Sequence, residues 1–167
     1  MSKTAKSAPR ILLDTNIWLD YYDCGRLAHD DAVDLVSYAK MKGIALLYAV
    51  SNAKDLYYLI NRAMKQQTRK ATGTLTEHDA FIVRTAAWGV VEHLSQEAFA
   101  VGADESDVWL ACKYRQVHDD FEDDLLIAAA QRAQADYLVT NDERLLKHAP
   151  VAALSARDAL AALRALG

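Results

Sequence analysis

Two short motifs each join a carboxylate to hydroxyl and amide side chains. They are Asp14 with Thr15 and Asn16 in "ILLDTN", and Asp142 after Thr140 and Asn141 in "LVTND". Each follows an apolar run that reads as a buried strand, so each delivers an acid to a strand end, where open parallel sheets bind ligands. A third feature is denser. "DDFEDDLLIAAA", Asp119 to Ala130, puts five acids into six positions and then turns alanine-rich. Capping accounts for one or two acids at a helix start, through unpaired N–H groups and the helix dipole, at roughly 0.3–1 kcal/mol each. The surplus points to a second duty, and a helix beginning near Asp119 and entering the same edge adds Asp123. Asp55, in the second turn of the helix expected after the second strand, makes a fourth acid. Carboxylates gathered in one place repel, so a hard cation is the natural neutraliser. Oxygen ligands completed by water suit Mg²⁺ or Mn²⁺ and not zinc. The scarcity of Cys/His ligand pairs agrees.

The elements that must position these acids follow from periodicity. Buried strands are expected at "RILLD" (10–14), "IALLYAV" (44–50) and "DYLVT" (136–140), with weaker ones at "AFAV" and "PVAAL". Helical patterns lie between them. They are "HDDAVDLVSYAKMK" closed by Gly43, "SNAKDLYYLINRAMKQQTRK" opened by a Ser51/Asn52 cap, "TEHDAFIVRTAAWGVVEHL", "DESDVWLACKYRQ", the acidic stretch continued to Ala135, and "SARDALAALRAL". Strands separated by helices imply an α/β fold with a mostly parallel sheet covered on both faces.

With 167 residues, 52% hydrophobic and 25% charged, the chain fits one globular domain, read here as residues 10–167 behind a flexible tail, residues 1–9. No apolar run reaches the length of a membrane span, and the start of the chain lacks the apolar core of a secretory signal. Cys24 and Cys112 are far apart and form no CxxC motif, as expected in a reducing cytoplasm. A net charge of −4 argues against nucleic-acid binding by bulk charge and leaves room for a local basic patch.

"LLDTNIWLDYY", the acid of "SNAKDLYYLI", "DFEDDLLIAAA" and "DYLVTNDERLL", in that order, resemble the PIN-domain ribonucleases, especially relatives of VapC-type toxins. The likeness runs from Arg10 to about Leu146. It implies a three-layer α/β/α domain around a central parallel sheet, Mg²⁺- or Mn²⁺-dependent cleavage of RNA, and often control by a partner antitoxin. Carried over, Asp14, Asp55, Asp123 and Asp142 are the catalytic acids, with Asp14, Asp123 and Asp142 as metal ligands. Thr15, Asn16, Thr140 and Asn141 orient them by hydrogen bonds. Two departures stand out. The family usually has Glu where this chain has Asp55, a methylene shorter. Asp124 stands where an apolar or small residue is more usual, which leaves the choice between Asp123 and Asp124 open, with Asp124 as an accessory ligand.

Acids that place a metal need not grip RNA, and Arg62, Lys65, Arg69 and Lys70 offer a helical stripe for backbone phosphates. On charge pattern alone such a stripe is a solvated face. Asp142 alone reads equally as the cap of "DERLLKH", and Asp55 alone as a solvated helix acid. His118 beside the acidic run reads as a surface histidine. Tyr57, Tyr58 and Leu59 read as core or as a homodimer face, and Trp18, Trp88 and Trp109 as packing residues. Two other functions stay open: a catalytically silent PIN-like module that binds RNA or protein, and an aspartyl phosphotransfer domain using Asp14. The second is disfavoured because a dehalogenase-type nucleophile wants an acid two positions on, where Asn16 stands.

Overall fold

A computed structural model describes residues 8–166, without the side chains of residues 116–118. Residues 1–7 of the expected tail and the side chain of His118 therefore lie outside the described residues. At Pro9 the chain is already tied to the sheet, its carbonyl accepting from the Ala45 N–H at 3.1 Å.

Five strands, β1 (Arg10–Leu13), β2 (Ala45–Ala49), β3 (Phe99–Val101), β4 (Tyr137–Val139) and β5 (Ala153–Leu154), form one all-parallel sheet in the order β3-β2-β1-β4-β5. The first three strands step one way from β1, and the chain then returns to lay β4 and β5 on its other side. The winding thus reverses between β1 and β4, and the crevice beyond their carboxyl ends is where such sheets take ligands. Asp14 and Asp142 flank that crevice.

Eight helices are seen among the described residues: α1 (Thr15–Tyr22), α2 (His29–Lys42), α3 (Val50–Thr72), α4 (Glu77–Glu97), α5 (Glu105–His118), α6 (Phe121–Arg132), α7 (Glu143–His148) and α8 (Ala156–Leu166). Alternation along the strands sorts the core into two faces. Ile11, Leu13, Leu46, Tyr48 and Val139 pack with residues of α1–α4 and α8. Leu12, Leu47, Ala49 and Leu138 pack on the other face with Leu126, Ile127 and Ala130 of α6 and Leu145 of α7. The result is the three-layer α/β/α sandwich that strands alternating with helices imply.

Local chemistry sets most boundaries. Gly43 ends α2 at φ 65°, a left-handed conformation that costs glycine nothing, and its N–H closes on the Ala39 and Lys40 carbonyls. Thr76 and Asp79 cap α4 reciprocally, each side chain accepting from the other's N–H. Three expectations need correction. Residues 15–22, given no element by periodicity, form α1. The start of α3 is Val50 with Ala49 as a cap that supplies no side-chain bond, and Ser51 and Asn52 lie inside the first turn. Asn52 instead is buried and donates from Nδ2 to the Leu13 carbonyl at 3.3 Å, bracing the end of β1. Finally, the acidic helix runs from Phe121 to Arg132, not from Asp119 to Ala135.

Candidate active site

Asp14 ends β1 and precedes α1. Its N–H donates to the Val139 carbonyl at 2.9 Å, which ties the ends of β1 and β4 together. Its Oδ2 accepts from Asn16 Nδ2 at 2.6 Å and from Thr140 Oγ1 at 2.7 Å, and Asn16 Nδ2 also reaches Thr140 Oγ1 at 3.1 Å. The first helical turn and the strand end thus hold one carboxylate between them. Burial pushes the Asp14 carboxyl up from 3.8 to about 6; the bonds from Thr140 and the Thr15 backbone oppose this, and the charges of Asp142 and Glu122 add to it. Asp142 is held as the N-cap of α7, its Oδ1 accepting from the N–H groups of Arg144 at 2.8 Å and Leu145 at 3.1 Å. Thr140 Oγ1 accepts from the Asp142 N–H at 3.0 Å, so one hydroxyl positions both acids.

Residues 119–124 divide their work. Asp119 adopts φ 44° and ends α5. Asp120 caps α6, accepting from the N–H groups of Glu122 at 3.1 Å and Asp123 at 3.4 Å. Glu122 projects toward α3 and shares a side-chain hydrogen bond with Asp55. Partial desolvation first, and then the charge of Asp55 and the bond to it, hold the Glu122 proton more tightly than is usual, with Asp120 and Asp123 adding like charge. Asp123 is half-buried beside Glu122. Asp124 is 1% exposed and lines the cleft between α5 and α6 with Ala111, Cys112 and Arg115.

The structure therefore links Asp14 to Asp142 and Glu122, and Glu122 to Asp55, with Asp123 adjoining. Glu122 was not among the acids expected. Asp20 is a second residue that sequence reasoning missed. It is 3% exposed, pairs with Arg26 Nε, and accepts at Oδ2 from Asn141 Nδ2 at 2.8 Å, while Asn16 Oδ1 accepts from the Asn141 N–H at 3.1 Å. Asn141 so braces α1 against the end of β4. The signal was an acid four residues after Asn16 inside the apolar "IWLDYY" run, since an acid there must find partners.

Along α3, Arg62, Arg69 and Lys70 are exposed and Lys65 is half-buried. Asp55, Arg62 and Arg69 recur every seven residues, two turns, so the cationic stripe leads away from the acids along one side of the helix. Of the tryptophans only Trp18 is core, at 0% exposure. Trp88 and Trp109 are 56% and 58% exposed, contrary to the expectation of packing residues.

Among the described residues no three His, Cys, Asp or Glu side chains already stand as a metal cage. The donor chemistry nevertheless fits a hard divalent ion: every candidate ligand is a carboxylate oxygen, and burial first, with like charge adding to it, raises the proton affinity of Asp14 and Glu122.

A PIN domain family model matches residues 10–144, and the chain belongs to that family. Its fold is that of toxins from bacterial toxin–antitoxin pairs. VapBC2 from Rickettsia felis, solved bound to a DNA fragment from its promoter, is 12% identical with TM-score 0.62, covering 87% of this chain and 98% of that one. A toxin–antitoxin complex from Klebsiella pneumoniae is 14% identical with TM-score 0.56, over 87% and 97% of the two chains. VapC20 of Mycobacterium tuberculosis, a toxin that cleaves the sarcin–ricin loop, is 16% identical with TM-score 0.54, over 77% and 86%. No curated protein matches the chain.

Proposed function

We propose that the protein is a Mg²⁺- or Mn²⁺-dependent endoribonuclease, the toxin of a toxin–antitoxin pair, working in the cytoplasm. The observation that carries this reading is the Asp14 carboxylate, half-buried at the switch point of the sheet, gripped by Asn16 and Thr140, and pressed by the charges of Asp142 and Glu122. Membership of the PIN family and the toxin–antitoxin complexes among the fold's relatives support it.

Asp14, Asp142 and Asp123 hold the ion in this reading, and Glu122 joins them, with Asp55 behind it. Asp124 lines the α5–α6 cleft and is left as an accessory to that set. When bound, the ion neutralises charge on a phosphodiester and lowers the pKa of a water at neutral pH. Asn16 and Thr140 fix the Asp14 carboxylate in one orientation, and Thr15 and Asn141 hold the backbone around it. Burial and the neighbouring charge of Asp55 hold the Glu122 carboxyl above its usual range, a cost that a bound cation would relieve. Arg62, Lys65, Arg69 and Lys70 lie where an RNA backbone leaving the acids meets compensating charge. A small antitoxin is the controlling partner, and the chain forms a homodimer.

Purified protein given single-stranded and stem-loop RNA should cut it with Mn²⁺ present and stop in excess EDTA. Asp14→Asn should lower the rate by two orders of magnitude or more with an unchanged circular dichroism spectrum, because the ligand acts on both ion binding and transition-state charge. Cleavage that persists in chelator or in Asp14→Asn sinks the reading.

A further inference from the structure

On α3 an aromatic residue is interleaved with the cations. Lys54, Tyr58, Arg62, Lys65 and Arg69 follow one another at spacings of four, four, three and four, which places all five on one side of the helix with Asp55 at its edge. Tyr58 is 64% exposed although it is a large ring on a helix whose apolar side has a core to bury in. Beside it, α3 and α4 leave a surface pocket of about 390 Å³ lined by Ala53, Lys54, Tyr57, Tyr58, Trp88 and Val91. The ring of Tyr57 lies 5.2 Å from that of Tyr58 and 5.3 Å from that of Trp88, so three aromatics share its walls. The pocket is joined to the acids through one residue: Lys54, which lines it, places Nζ 3.2 Å from Asp55 Oδ1.

We propose that this pocket receives an unstacked nucleobase of single-stranded RNA, with Lys54 meeting a phosphate between that base and the acid group. The proposal rests on the ribonuclease reading. An aromatic wall offers a π-face to any base, and cations beside it hold the connecting phosphates; the two together mark single-strand binding surfaces. Charge decides the occupant. A face carrying Lys54, Arg62, Lys65 and Arg69 around exposed rings repels an identical copy of itself and complements a polyanion with flat apolar groups. Tyr58 and Trp88 here position substrate and select for unpaired strands, because a base held in a duplex cannot enter.

The test uses a fluorescein-labelled single-stranded RNA and the same strand carrying one abasic site, moved stepwise along it, with binding measured in EDTA to prevent cleavage. The wild type should bind the intact strand at least about five times more tightly than the strand abasic at one particular position, since base stacking on aromatics has effects of that size. Trp88→Leu and Tyr58→Leu, which keep apolar bulk, should bind intact and abasic strands alike and leave the salt dependence unchanged, whereas Trp88→Phe should restore the preference. A wild type that binds and cuts RNA with no abasic position mattering overturns this inference and leaves the nuclease reading standing. A wild type that neither binds nor cuts RNA overturns both. Variants that keep the base preference but change the sedimentation of the protein make the patch a protein contact and overturn the proposal.

Discussion

At the scale of single residues, Asp14 has a measurable signature that needs no substrate. Its carboxyl sits at about 6 in the folded chain against an ordinary 3.8, so the native state favours the protonated form. A raised acid pKa means that stability is present below 3.8, falls as pH rises through the window to 6, and stays reduced above it, by up to about 3 kcal/mol for a shift of this size. Asp14→Asn removes the ionisation. In EDTA it should melt higher than the wild type at pH 8 and level with it near pH 4, and an equal effect at both pH values rules out a raised carboxyl at this site. How much of this is legible in the sequence differs by residue. Asp14, Thr15, Asn16, Thr140 and Asp142 follow apolar strands closely enough that their place at the sheet edge needs no structure. Glu122 does not. Adjacent helix residues are about 100° apart, so Glu122, Asp123 and Asp124 point in different directions, and which of them meets α3 depends on how α6 packs on the sheet.

Elements have their own rules and their own blind spots. The helical stripe of α3 predicts that neutralising Arg62, Lys65, Arg69 and Lys70 together weakens RNA binding and flattens its salt dependence. The slope of log K on log salt should fall by about 0.7 for each phosphate of a single strand that is no longer neutralised. An unchanged slope returns those residues to the role of a solvated face. Caps are visible where side chains make them, as at Thr76, and invisible at Ala49, where the backbone alone begins α3. The unexpected α1 has a physical reason. "TNIWLDYY" carries β-branched and aromatic residues that suit strands as well as helices, and the turn begins at Asp14, whose side chain is committed to Thr140 and Asn16. Periodicity also says which residues share a face without saying whether anything covers it, which is why Trp88 and Trp109 were expected inside.

For the molecule as a whole, the parallel sheet is legible from continuous apolar strands divided by helices, and the strand order is not, because both sides of β1 are equally apolar. The order is what creates the crevice, so the site's location depends on a choice made by packing. Leu138 lies at that division, 1% exposed on β4 beneath α6 and paired in register with Leu12. Leu138→Ala should cost about 2–5 kcal/mol in chemical denaturation, the range for a buried leucine whose cavity cannot collapse. A loss below about 1 kcal/mol means that α6 closes over the gap. The sheet's margins carry a different consequence. β3 has three residues and β5 has two, so neither border offers more than a few backbone groups to a foreign strand. Growth by strand addition, whether into a fibril or toward a peptide ligand, has almost no template here, and anything that assembles on this protein must recognise side chains.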